Sequence, residues 1–326
     1  MGEKTTRREF LKQMALAGAA LTVLPGVAEA AEAAAKGSSK SRVVIATDTA
    51  VFSQGTTVNK AVLGKMLGNS MAKLTDSKTG AQAWEKLFTP NDVVGIKVNC
   101  LFGVGVSTRP EVVRAVIDGL KMAGVDENNI IVWDRSTSDL IKAGFSPNSG
   151  KGVKVFADDD HWGPEIQRGA FKGKISTVIN DRVTAIINMP VLKSHGLTGV
   201  SCCMKNHFGS FNNPGKHHGN ACTPAMADFN SIPMVKDKTR LVVVDALRPQ
   251  HSSGPGLQNN DQFNYHSLIV SADPVAADYH GTGIIQSELA KAGKQTIPDS
   301  KLIWLQAAQE RGVGTCDPSK IEVLKA

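Results

Sequence analysis

Between positions 188 and 209 the chain reads Asn188-Met189-Pro190-Val191-Leu192-Lys193-Ser194-His195-Gly196-Leu197-Thr198-Gly199-Val200-Ser201-Cys202-Cys203-Met204-Lys205-Asn206-His207-Phe208-Gly209. These types hold anions, move protons and bind metals. An apolar run ends here and a helical pattern follows, and in α/β sheets ligands gather where strand ends meet helix starts. Lys193, His195 and Thr198 are therefore placed to touch a ligand. A helix starting near Thr198 would carry Ser201 and Lys205 on one face, and Cys203 and His207 on one face, four residues apart in each case. His195 is the candidate acid/base, since imidazole titrates near neutrality, and Lys193 and Lys205 hold negative charge. Residues 195–222 contain four of the eight histidines and three of the five cysteines, which makes Cys202, Cys203 and His207 candidate metal ligands. Thiolate with imidazole suits zinc, copper, nickel or iron, although no C-x-x-C pair or zinc-finger spacing is present. The alternative is that the cysteines are small core residues and His217-His218 belongs to a solvated loop.

A second set lies at other strand ends. Asp134, Asp245 and Asp273 each follow a short apolar run, so their carboxylates are expected at one edge of a sheet. Asp245 is taken as catalytic, whereas Asp273, followed by Pro274, reads as a helix N-cap with Asp278 inside the helix. Gly103-Val104-Gly105-Val106-Ser107-Thr108-Arg109-Pro110 has the layout of an anion-binding turn, without being a P-loop or a G-x-G-x-x-G fingerprint. Arg109 in it either clamps a carboxylate or phosphate or is a surface arginine. Asp158-Asp159-Asp160-His161 reads as a hard-cation patch or as a solvated acidic turn.

The elements that must position these residues are short β-branched strands alternating with helices. Strands are expected at 42–47, 92–100, 129–133, 153–156, 185–191, 241–244, 268–270 and 321–324, and helices from about 58 onward, at 111–123 and at 301–309. That pattern predicts an α/β fold, a mostly parallel sheet with helices on both faces, as one large domain or two intimate lobes over 41–326. The stretch 209–228, rich in Asn, Gly, Pro and His, is the longest without a clear helix or strand, and long irregular loops in compact domains are usually functional or disordered. No repeat of 20–50 residues is visible.

The N-terminus predicts export. Thr5-Thr6-Arg7-Arg8-Glu9-Phe10-Leu11-Lys12 matches a twin-arginine signal, followed by an apolar stretch from Met14 to Val27 and a small-x-small site at Ala28-Glu29-Ala30. The apolar stretch is about two-thirds of the roughly 20 residues that span a bilayer, so no permanent membrane anchor is expected. Residues 1–30 are read as the signal, 31–40 as a flexible tether, and the mature protein as periplasmic, with the twin-arginine translocase as its partner during export. Net charge is +7, or +6 without the four Lys/Arg and three Glu of residues 1–30. The basic residues form no aromatic-interleaved stripe, which argues against nucleic acid and for a small anionic molecule. Five cysteines in an oxidising compartment leave at least one free, ligated or paired between chains.

Lys193-Ser194-His195, Thr198-Gly199-Val200 and Met204-Lys205-Asn206-His207-Phe208-Gly209 resemble the domain of unknown function 362 family. So do Val94 to Asn99 with Arg109-Pro110-Glu111-Val112-Val113, Val243-Val244-Asp245-Ala246, and Ser271-Ala272-Asp273-Pro274-Val275-Ala276-Ala277-Asp278, in the same order. Some relatives carry a ferredoxin-like segment with clustered cysteines; no such cluster occurs here, and the resemblance implies no iron–sulfur centre. A weaker likeness, to the nickel-dependent lactate racemase superfamily, rests on Thr108-Arg109-Pro110 before a helix and on a turn leading to Lys205. It implies Arg109 on a substrate carboxylate, Lys205 near a metal-bearing organic cofactor loaded before export, and His195 in proton transfer. The glycine-serine-glycine-glycine turn of that superfamily is replaced by Thr198-Gly199-Val200-Ser201-Cys202-Cys203.

The expectation is an exported enzyme, dependent on a transition metal (iron or nickel) or another cofactor, acting on a small anionic substrate. Its catalytic residues would be His195, Lys205 and Asp245, with Arg109, Lys193 and Thr198 on substrate. The alternative is a non-catalytic metal-binding protein or a partner of an exported redox complex.

Overall fold

The computed structural model describes residues 40–326; the expected export signal and all but the last residue of the tether lie outside them. Ten strands form one sheet, in the order β14-β1-β13-β12-β9-β4-β5-β6, with β10 and β11 attached beside β12. The strands are β1 (Ser41–Thr47), β4 (Val94–Val98), β5 (Ile130–Asp134), β6 (Lys154–Ala157), β9 (Ala185–Met189), β10 (Val191–His195), β11 (Gly199–Ser201), β12 (Thr239–Gln250), β13 (Ser267–Ser271) and β14 (Ile321–Lys325). From β12 through β9, β4 and β5 to β6 every pairing is parallel, and β13 runs antiparallel to both β12 and β1. Two short hairpins lie apart from the sheet, β2 (Phe52–Gln54) with β3 (Thr57–Val58), and β7 (Trp162–Arg168) with β8 (Phe171–Ser176).

Side-chain alternation along each central strand divides the core in two. Val94, Ile96 and Val98 of β4 join Ile130 and Val132 of β5 in a cluster with α1 (Lys60–Leu74), α2 (Gly80–Leu87) and α3 (Pro110–Met122). Ile131 and Trp133 point the other way, into a cluster with α6 (Ala225–Asn230) and α9 (Ile303–Glu310). Val242, Val244 and Ile269 meet α8 (Pro274–Lys291) on that same side. Helices therefore cover both faces. The remaining helices, α4 (Thr137–Lys142), α5 (Cys203–Asn206) and α7 (Pro233–Lys236), are a turn or two long. None of the described helices is long and apolar enough to cross a membrane.

Three local expectations are corrected. The helix expected from Thr198 is instead an antiparallel hairpin, in which Lys193 faces Ser201 and His195 faces Gly199. Gly199 makes it possible: its φ is +71°, and a Cβ there would meet Ile297 Cγ2 at 2.4 Å. Helix α5 begins only at Cys203, so the face shared by Ser201 and Lys205 does not exist. The strand expected at 185–191 is two strands that break at Pro190, which has no N–H to give the ladder. The strand expected to end at Val244 runs on to Gln250, so Asp245 lies in mid-strand, opposite Val191 on one side and Leu268 on the other.

Candidate functional site

A cleft opens beyond the C-terminal ends of β4, β5 and β10, lined by Asn99, Leu101, Asp134, Arg135, Asp139, Lys193, His195, Ser201, Lys205, Asn206, Phe208, Gly209, Pro214, His218 and Pro255. The strands place its floor. Lys97, fully buried in β4, donates to Asp134 Oδ1 at 2.8 Å and to the Val98 carbonyl at 2.7 Å. Asp134 also accepts from the backbone N–H groups of Cys100 (2.7 Å) and Arg135 (2.7 Å), so this strand-end carboxylate is committed to the fold. Asn206 ties α5 to the same floor by donating to the Lys97 carbonyl and to Asn188 Oδ1.

Above this neutralised pair sit two lysines of a different kind. Lys193 is 2% exposed, and its Nζ donates to Asn99 Oδ1 at 2.9 Å and to the Val106 carbonyl at 2.7 Å. Burial lowers its pKa to about 7, partly offset by the Asp134 charge. Lys205 contacts His218 Nε2 at 3.2 Å and stands 3.6 Å from the centroid of the Phe208 ring, over which His218 also stacks. Burial lowers its pKa to about 8. Among the described residues neither lysine has a carboxylate within ion-pair distance, whereas Lys97 does.

His195 completes the wall. Its Nδ1 accepts from the backbone N–H groups of Leu197 (3.2 Å) and Thr198 (3.4 Å), so the neutral ring carries its proton on Nε2. Burial, then the charges of Lys205 and His218, lower its pKa to about 3. At neutral pH His195 is thus a hydrogen-bond donor through Nε2, not a base awaiting a proton.

Of the residues given catalytic, substrate or metal roles in the sequence, the cleft gathers Lys193, His195 and Lys205. Arg109 and Asp245 meet each other instead, Nη1 to Oδ1 at 2.6 Å, with the Arg109 N–H on Oδ2 at 3.1 Å. This arginine is no free clamp and this aspartate no free base. Thr198 is fully buried, its hydroxyl donating to the Val200 carbonyl and its own carbonyl accepting from Trp304 Nε1.

The expected ligand set is also rearranged. His207 does not join the cysteine cluster; its Nδ1 lies 3.1 Å from Ser210 Oγ, and complete burial and the Lys97 charge lower its pKa to about 3. Cys202 and Cys203, their sulfurs 3.8 Å apart, meet Asp278 of α8, and one ligand atom from each of the three lies within 4.8 Å of the others. Asp278 accepts from the backbone N–H groups of Cys203 (2.6 Å) and Met204 (2.9 Å), capping α5, which has no cap of its own. Burial raises the Asp278 carboxyl to about 6, the Cys202 thiol to about 11 and the Cys203 thiol well above its usual range. All five cysteines are free thiols.

Asn99, Arg135, Phe208 and His218 are cleft residues that the sequence reading did not assign a role. A usable signal existed for Asn99, the first polar position after the apolar strand Val94–Val98, and a lysine inside that strand announced a buried partner. The acidic turn divides: Asp158 is buried and accepts from Thr177, while Asp159 receives Thr137 at the start of α4. Asp273 does cap α8, accepting from Val275 and Ala276 at 2.9 Å.

A family model for a domain of unknown function (DUF362) matches residues 94–282, a span that holds every residue lining the cleft. Neither a curated protein nor a solved structure gives a significant match.

Proposed function

This chain belongs to the DUF362 family, and we propose that it is an exported enzyme whose strand-end cleft binds a small anionic substrate between Lys193 and Lys205. One observation carries the reading: the buried Lys193 and the half-buried Lys205 line one cleft with no carboxylate partner among the described residues. A buried ammonium without a counter-ion is costly, and an anionic ligand supplies the counter-ion that the chain withholds. Arg135 adds positive charge at the rim, and His195 offers its Nε2–H to a ligand oxygen. Lysines with pKa values near 7 and 8 can also exchange protons at neutral pH, which favours turnover over storage.

Calorimetric titration of the full chain with oxalate tests the binding step. One equivalent should bind, and Lys193→Met and Lys205→Met should each weaken it about tenfold, the loss of one charge-assisted hydrogen bond. Unchanged affinity in both variants would refute the site.

Export is a part of the proposal that rests on Arg7 and Arg8. Replacing both with Lys should leave the protein in the cytoplasm; continued recovery from the periplasm would refute the twin-arginine route.

A metal at Cys202, Cys203 and Asp278 is a second reading, favoured by the proximity of the three groups. Against it, both carboxylate oxygens already hold backbone donors, and no fourth His, Cys, Asp or Glu joins the set among the described residues. Elemental analysis of protein exported without added metal decides: stoichiometric iron or nickel, lost in Cys203→Ser, would support it, and metal-free protein would end it.

A further inference from the structure

We propose that Lys193 is a nucleophile that condenses with the carbonyl of a small 2-oxo acid, while Lys205 holds the carboxylate of the same molecule. The inference rests on the anion site described above and goes beyond it by naming a covalent step.

The geometry of Lys193 carries the argument. A neutral primary amine has two N–H donors and one lone pair. Nζ has two acceptors, Asn99 Oδ1 and the Val106 carbonyl, both uncharged. In the neutral state those acceptors take both hydrogens, and the lone pair is left in the remaining tetrahedral direction. Lys97 shows the contrast within the same cleft floor. Its Nζ is bound to the Asp134 carboxylate and to the Val98 carbonyl, so its hydrogens are taken up by a carboxylate partner that Lys193 does not have.

Lys205 is arranged for the opposite task. It lies against the face of Phe208, where the ring quadrupole favours a cation, and an ammonium can donate to His218 Nε2. The two lysines of one cleft are thus differently prepared, one to react and one to stay charged. His195 Nε2–H can donate to the carbonyl oxygen as charge develops there. The Lys193 amine adds to the carbonyl carbon to give a carbinolamine. Loss of the oxygen as water, with one proton from the amine and one from solvent, then leaves an iminium on Nζ. No oxidant or further reactant is required.

The test is reductive trapping. The full chain is treated with glyoxylate and cyanoborohydride at pH 7, and labelled lysines are located by peptide mass mapping. Lys193 should be labelled on the order of a thousandfold faster than surface lysines, since about half of it is neutral at that pH against roughly three parts in ten thousand for an ordinary lysine. Oxalate, which cannot form an imine, should protect it, and Lys205→Met should raise the glyoxylate needed about tenfold without moving the label. Label spread over surface lysines with Lys193 unmodified would overturn the proposal. If oxalate still binds in that case, the anion site survives and only the covalent step is lost; if it does not, both fall.

Discussion

Arg109 and Asp245 form a closed pair, 2.6 Å between Nη1 and Oδ1, that ties the start of α3 to the middle of β12 across 136 residues of sequence. The carboxylate is fully buried and also receives the backbone N–H groups of Arg109 and Leu247. Asp245→Ala should therefore cost about 3 kcal/mol in urea unfolding, because it strands a guanidinium and two backbone donors. Oxalate affinity of the folded variant should stay within about twofold of the parent. A variant of normal stability that fails to bind would return Asp245 to the functional site.

Gly209 marks how closely the cleft floor is built. A Cβ on it would lie 2.4 Å from Asp134 Oδ1 and 2.7 Å from Lys97 Nζ, so Gly209→Ala must displace a buried ion pair. The expected loss is about 2 kcal/mol of stability with weakened oxalate binding, because Gly209 itself lines the cleft. Thermal unfolding and calorimetry on one preparation check both, and an unaffected variant would mean the floor is softer than drawn.

Asp278 joins α8 to the N-terminus of α5 through two charge-assisted hydrogen bonds. Asp278→Ala should cost about 2–3 kcal/mol, and Asp278→Asn, which keeps one acceptor, distinctly less. Equal losses in the two variants would show that the carboxylate has some purpose other than capping.

Acid should unfold the protein partly through its histidines. His195 and His207 have folded pKa values near 3 against an unfolded 6.5. Between those values the unfolded chain binds the extra protons, so the stability they contribute is present above pH 6.5 and falls as pH drops toward 3. Lys193 and Lys205 have the same sign at higher pH. Their folded values near 7 and 8 lie below the ordinary 10.5, so stability from them rises as pH climbs through that window. His207→Gln should flatten the acid limb by about one proton in a urea series; an unchanged slope would contradict the burial of its ring as a neutral group.

Much of this was legible in the sequence because β-branched runs such as Ile130-Ile131-Val132 have one structural outlet, a strand buried on both faces. Lys193, His195 and Lys205 were legible as a group because they follow the apolar run 185–191, although Lys193 and His195 lie in a further strand, β10. Helix positions around Thr198 were not, since Thr-Gly-Val-Ser fits a hairpin or a helix start locally, and only the packing of Gly199 against Ile297 decides. The pairing of Arg109 with Asp245, and the approach of Asp278 to Cys203, join positions 136 and 75 residues apart. Periodicity carries no information on contacts of that span.

Among the described residues Lys193 and Lys205 lack a carboxylate partner, and they gain positive charge when an anion binds between them; the titration of their own side chains tests this most directly. With lysine labelled by carbon-13 at Cε, NMR titration of the full chain should show two resonances with midpoints near 7 and 8, apart from the main group. Lys193→Arg and Lys205→Arg should each remove one of them, and saturating oxalate should move both midpoints upward, because a bound anion favours the ammonium. If every lysine titrates with the main group, or if the two low midpoints ignore oxalate, the cleft is not an anion site.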